Sequence, residues 1–253
     1  TGDNNIGGVG IAYNAKIMAI KAAQYAGVLS SIDVAEGVFY AFEHGADVIN
    51  MSFGGYGRAQ VEEDALATAY SQAVLVAAAG NNGLPNQPCP LIGAPMYPAA
   101  HPWVVGVMAS TPAGGRASFS NKECKLHNGL EYEVMAPGVD VWSTLPNDGY
   151  AAWDGTSMAA PVVSAIAALV RTHWPNKSIY SSRFIMGQVA ATGETRSPYH
   201  VIDAHRALTV TPEPWLAYEE HWLFDGQAQS TLNDGDGRVD AGETVDLALV
   251  IRN

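Results

Sequence analysis

Basic residues, cysteines and long apolar runs are all scarce in this 253-residue chain. Lys and Arg number 13 against 25 Asp and Glu, for a formal net charge of -12. Phosphate backbones are held by clustered Lys and Arg, and no such cluster occurs, which excludes a nucleic-acid partner. The two cysteines, Cys89 and Cys124, fall in loop-like contexts and lack the paired spacing of a zinc site. One disulfide or two free thiols both stay open, because a bridge needs Cα atoms within ~7 Å. No stretch of ~18 apolar residues runs uninterrupted, so no membrane span is expected. Nor is there an initiator Met or a signal peptide. The chain starts at Thr1 in mid-motif, and an upstream portion is expected to have been lost. Charged residues make up only 15% and hydrophobic ones 48%, which leaves ample material for a buried core.

What is present alternates. Residues 16–22, 46–51, 73–79, 103–109 and 133–135 are short apolar runs that read as strands. Between them, residues 33–43 and 60–72 carry helical spacing, the second through Val61, Ala65, Leu66 and Ala69. Strands alternating with helices at these lengths predict an α/β fold, a doubly wound and mostly parallel sheet with helices on both faces. In such folds the working residues sit at the carboxyl ends of strands, where Ser52 and Asn81 are found. The texture changes after residue 210. Thr211-Pro212-Glu213-Pro214 reads as a linker, and Val245, Leu247, Leu249 and Ile251 alternate as the first strand of a β-sandwich. Residues 1–210 and 211–253 are therefore expected to be separate domains, the second cut short.

The sharpest motif is Asp154-Gly155-Thr156-Ser157-Met158-Ala159-Ala160-Pro161, followed by an apolar run of helical length that Pro175 stops. Ser157 then lies at the amino end of a buried helix, where free N–H groups and the helix dipole favour negative charge. Pro161 is expected in the first turn, where its missing N–H leaves nothing unpaired. A lone Ser there would be read as a helix cap. Ser157 has company. Gly155-Thr156-Ser157-Met158-Ala159 with Pro161 resembles the nucleophile motif of the subtilase family, the subtilisin-like serine proteases, and the resemblance runs over residues 1 to about 210.

That resemblance implies a serine endopeptidase with Ser157 as nucleophile. Val76 to Asn81 looks like the family's oxyanion segment, in which Asn81 donates its side-chain amide to the developing oxyanion. Val48 to Gly55 looks like the substrate strand. The implied peptide site comprises Ser52, Phe53 and Gly54 on one wall, Ala78, Ala79 and Gly80 on the other, and Thr156 beside the nucleophile. Small Ala and Gly side chains on these walls would leave room for a large apolar residue, and Met96-Tyr97-Pro98-Ala99 looks like the floor of that first pocket, which Met96 could partly fill. Gly2 to Ala12 resembles the family's calcium loop, with oxygens from Gly2, Asn4, Ile6 and Gly8 suiting a hard cation. A phosphate loop is the competing reading there, but it lacks the preceding strand and the following Lys. Asp234, Asp236, Asp240 and Glu243 could hold a second calcium. Their spacing is not that of a helical calcium hand, and a plain acidic turn fits as well.

In subtilases the aspartate and histidine that activate the serine precede the calcium loop, so both are expected ahead of Thr1. The chain as it stands is then expected to have little activity. None of His44, His101, His127, His173, His200, His205 and His221 sits in a base motif, and each reads as a surface or packing residue. The resemblance further implies a secreted, monomeric enzyme that acts on protein or peptide. Two other classes remain: a non-catalytic peptide-binding relative, and a calcium-dependent structural module.

Overall fold

The computed structural model describes residues 7–23, 28–83, 95–122, 132, 134–196, 199–210, 217–224 and 246–252. The chain divides into two compact units, Thr1–Glu213 and Pro214–Asn253. Helix α1 (Ser31–Glu43) opens with a capping box, in which Asp33 N–H donates to Ser30 Oγ at 3.1 Å and Ser30 N–H to Asp33 Oδ2 at 3.3 Å. It buries Val34, Ala35, Val38 and Ala41, a spacing of one helical stripe. Strand β1 (Val48–Met51), helix α2 (Gln60–Ala69) and strand β2 (Val74–Ala78) follow. Next come β3 (Val105–Ser110), β4 (Val134–Pro137) and a hairpin of β5 (Val141–Leu145) with β6 (Gly149–Trp153). The hairpin runs straight into α3 (Thr156–His173). Helix α4 (Ser182–Ala191), β7 (Glu194–Arg196), β8 (Tyr199–Val201) and α5 (Ala204–Thr209) complete the first unit.

The six-stranded sheet has the order β1-β2-β3-β4-β8-β7, parallel from β1 to β8, with β7 antiparallel at one edge. All five residues of β2 and all six of β3 are buried, as continuous apolar strands in a parallel sheet must be. Helix α3 packs across β1, β2, β3 and β4 through Ala159, Ala160, Val163, Ile166, Ala167 and Val170. The α/β architecture is thus the one expected. In the second unit β9 (Ala217–Phe224) pairs antiparallel with β10 (Asp246–Arg252), so the expected terminal strand has a partner that the sequence reading did not supply.

Residues 16–22 correct an expectation. They form no strand, and Ile17 is 86% exposed. Their composition favours a strand, but a strand needs a neighbour to pair with, and β1 ends the sheet on this side without them.

The loop into β3 is anchored by aromatic rings. His101, 3% exposed, lies between the rings of Tyr97 at 4.7 Å and Trp103 at 5.5 Å. Burial pushes its pKa down to about 4 against a smaller upward pull from Glu63, and Arg58 adds a downward push. Its ordinary value is about 6.5, so the unfolded chain takes up this proton first as pH falls. Stability is therefore expected to be full above pH ~6.5 and to fall as pH drops towards about 4, by at most roughly 3 kcal/mol. Urea midpoints across that range check it, with His101→Phe flattening the slope.

Candidate active site

Three chain segments meet at one end of the sheet. Ser52, Phe53 and Gly54 continue β1, Ala79, Gly80 and Asn81 continue β2 from Ala78, and Gly155, Thr156 and Ser157 begin α3. Hydrogen bonds join all three. Ser52 Oγ donates to the Ser157 carbonyl at 2.9 Å, and Ser157 Oγ donates back to the Ser52 carbonyl at 3.2 Å. Gly80 N–H donates to Thr156 Oγ1 at 3.1 Å. Asn81 Oδ1 accepts from Thr156 N–H at 2.9 Å and from Thr156 Oγ1 at 3.0 Å.

The Ser52 bond answers a need that Pro161 creates. Pro161 is the sixth residue of α3, in the second turn rather than the first, which corrects the sequence expectation. At that position its missing N–H does have a consequence, because the carbonyl four residues back belongs to Ser157 and loses its helical partner. Ser52 Oγ supplies the donor instead. Left unpaired, a buried carbonyl would cost ~1–3 kcal/mol. Ser52 is itself held, since Asn50 Nδ2 donates to Ser52 Oγ at 2.9 Å and Ser164 Oγ donates to Asn50 Oδ1 at 2.9 Å. A chain of bonds thus runs from Ser164 on α3 through β1 and back to Ser157. The sequence reading missed Asn50 and Ser164. The signal was there in Pro161, counted from the true helix start.

Asn81 answers a second need. The residue before α3 is Gly155, at φ 154°, and it has no side chain with which to cap the helix. Asn81 Oδ1 takes the Thr156 N–H in its place, a cap contributed from another strand. Both bonds to Thr156 use the amide oxygen, so the network fixes which way the amide lies and turns Nδ2 outward as a donor. A Cβ built on Gly155 would lie 3.6 Å from Asn81 Nδ2 and 3.6 Å from Ser157 N. Both nitrogens therefore lie close to Gly155 at the helix amino end, where exposed donors and the dipole favour a negative charge.

Thr156 has its side chain committed within the protein. Its side chain is fully buried and is spent on Gly80 and Asn81. Ala78 and Ala79 are buried too, at 3% and 0% exposure, while Phe53 is half-buried and Gly54 exposed. Asn121, which the sequence reading passed over, braces this wall. Its Nδ2 donates to the Ala79 carbonyl at 2.8 Å and its N–H to the Gly80 carbonyl at 2.8 Å.

The implied calcium ligands Gly2, Asn4 and Ile6 lie outside the described residues, as do Asp234, Asp236, Asp240 and Glu243, and so do Cys89 and Cys124. Gly8 is described and exposed. Among the described residues no three His, Cys, Asp or Glu come together to hold a metal. No helix among the described residues is long and apolar enough to cross a membrane.

A serine and an asparagine amide around one helix start, with an extended backbone alongside, can be matched against known proteins. The model of the subtilase family, peptidase S8, matches residues 1–202. The chain belongs to the subtilase family. It is 40% identical to subtilisin DY of Bacillus licheniformis over 177 residues, 70% of this chain and 61% of that protein. Against subtilisin E of Bacillus subtilis strain 168 the identity is 36% over 173 residues, 68% of this chain and 43% of that protein. A solved structure of a protease from Pseudoalteromonas arctica superposes with a TM-score of 0.67 at 30% identity, over 79% of this chain and 64% of that one. This subtilase chain thus spans about two fifths to three fifths of the length of these curated relatives.

Proposed function

We propose that this chain forms the nucleophile, the oxyanion hole and the peptide cleft of a secreted serine endopeptidase. In the reaction Ser157 Oγ gives up its proton to a base and attacks the carbonyl carbon of the scissile peptide bond. The carbonyl oxygen becomes negative and takes hydrogen bonds from Asn81 Nδ2 and the Ser157 N–H. Collapse of this intermediate breaks the C–N bond, the amine leaves with a proton, and an acyl group remains on Ser157 until water releases it. The base is a histidine oriented by an acid, expected ahead of Ser157 in the order Asp, His, Ser. Extended substrate pairs its backbone with Ser52 to Gly54 and lies against Ala78 to Gly80, a mode of binding that demands no single sequence.

One observation supports the reading most: Asn81 spends its amide oxygen on Thr156, and among the described residues its amide nitrogen has no partner, close to Gly155 at the helix start that also presents the Ser157 N–H. The test is covalent. A fluorophosphonate added to the folded, full-length protein should label Ser157, with the site read by peptide mass spectrometry. A folded protein whose Ser157 stays unlabelled sinks the proposal.

A further inference from the structure

We infer that Met96 plugs the pocket beside Ser157 and restricts the residue that donates the scissile carbonyl to a small side chain. The inference rests on the cleft proposed above. Its two walls, Ser52 to Gly54 and Ala78 to Gly80, present glycines to each other, and two such walls on their own would leave space for a large apolar group. Met96 takes that space. A Cβ built on Gly54 would lie 2.8 Å from Met96 Cγ and 3.1 Å from its Sδ. One built on Gly80 would overlap the same sulfur and lie 2.8 Å from Met96 Cε. A single thioether therefore bridges both walls, and it adds to the crowding that Tyr97 O at 2.8 Å imposes on Gly54 and Asn121 Nδ2 at 2.5 Å on Gly80, which also has φ 98°.

The backbone that carries the plug is pinned on each side. Met96 N–H donates to Tyr132 Oη at 3.1 Å. The next residue, Tyr97, exchanges two hydrogen bonds of 2.8 Å with Gly55, which ties this loop to the end of the substrate wall. The far wall is braced by Asn121. The plug is only 8% exposed and is enclosed by the wall it would have to leave. Opening the pocket thus falls to rotation of the Met96 side chain alone. Methionine has three rotatable bonds and repacks readily, so the restriction is graded rather than absolute. Gly, Ala and Ser should fit beside it, Leu should fit worse, and Phe worst.

The experiment uses full-length enzyme whose active sites have been counted by fluorophosphonate titration. Peptides identical except for Ala, Leu or Phe before the scissile bond are compared by kcat/KM. Wild type is expected to favour Ala over Phe by about tenfold or more, and Met96→Ala to move that ratio towards Phe by ~10–200-fold. Met96→Leu refills the gap and should hold the wild-type order. Should Met96→Ala fail to fold, the wild-type ratio decides alone. A labelled enzyme that cleaves the Phe peptide as well as the Ala peptide overturns the inference and leaves the proposed function standing. Folded protein that is neither labelled nor active overturns both.

Discussion

Ser157→Ala is expected to lower kcat of the full-length enzyme by on the order of 10⁶-fold, a loss of the size seen in a subtilisin, and to leave the fold in place. The two halves of this expectation come from different atoms. The proposed chemistry needs Oγ, the atom that would form the acyl bond. The structure needs the Ser157 carbonyl, which accepts the Ser52 hydroxyl at 2.9 Å and survives the substitution. What Ala removes is the longer bond from Ser157 Oγ to the Ser52 carbonyl at 3.2 Å, worth about 1 kcal/mol. Ala regains part of that through its higher helix propensity. Thermal unfolding of the variant should therefore stay within a few degrees of wild type while peptide hydrolysis collapses. Hydrolysis that persists at wild-type rate would show that Ser157 is only a helix residue. Some catalysis over water should remain, because the proposed oxyanion donors, Asn81 Nδ2 and the Ser157 N–H, survive the substitution.

Much of this architecture was legible because burial leaves its mark on composition. The strand β2 reads Val-Leu-Val-Ala-Ala with no polar residue, and only a strand covered on both faces tolerates that. The start of α3 was legible to within a residue from Gly155, the apolar run and Pro175. The consequence of Pro161 was not. Its effect depends on counting from Thr156, and a shift of one turn changes whether its missing N–H leaves a carbonyl unpaired.

Pairing was less visible than propensity. Residues 16–22 look as strand-like as β1, but no neighbour among the described residues takes them into the sheet. The β5–β6 hairpin went unread although its turn was written in Pro146-Asn147-Asp148-Gly149. Asn147 and Asp148 both adopt positive φ, at 61° and 57°, which these two residue types tolerate best after glycine. That hairpin matters to the site, since it delivers Asp154 and Gly155 to the head of α3. Asp154 Oδ1 accepts from Asp140 N–H at 2.8 Å and closes the hairpin's base. Of the two duties proposed for Asn81, only one was legible in the sequence. The donor role is what the resemblance implies, whereas the cap for Thr156 depends on two segments 75 residues apart meeting in space.

That dual duty is what makes Asn81 separable by substitution. Asn81→Asp keeps an oxygen where Oδ1 now accepts from Thr156 N–H and Oγ1, so the helix cap persists. A carboxylate at a helix amino end is also favoured by the dipole. The other carboxylate oxygen, however, replaces the Nδ2 donor and turns an acceptor towards the oxyanion. The expected result is a fall in kcat of ~10²–10³-fold or more, about 3–4 kcal/mol of barrier, with melting temperature nearly unchanged. Asn81→Ala removes the cap as well as the donor. It should lose a similar amount of kcat and about 1 kcal/mol of stability besides. The comparison discriminates between the two duties. If Asp restores stability but not rate, the amide nitrogen acts on the reaction and the amide oxygen holds the helix. If Asp restores both, Asn81 is a cap and nothing more, and the oxyanion must be stabilised elsewhere.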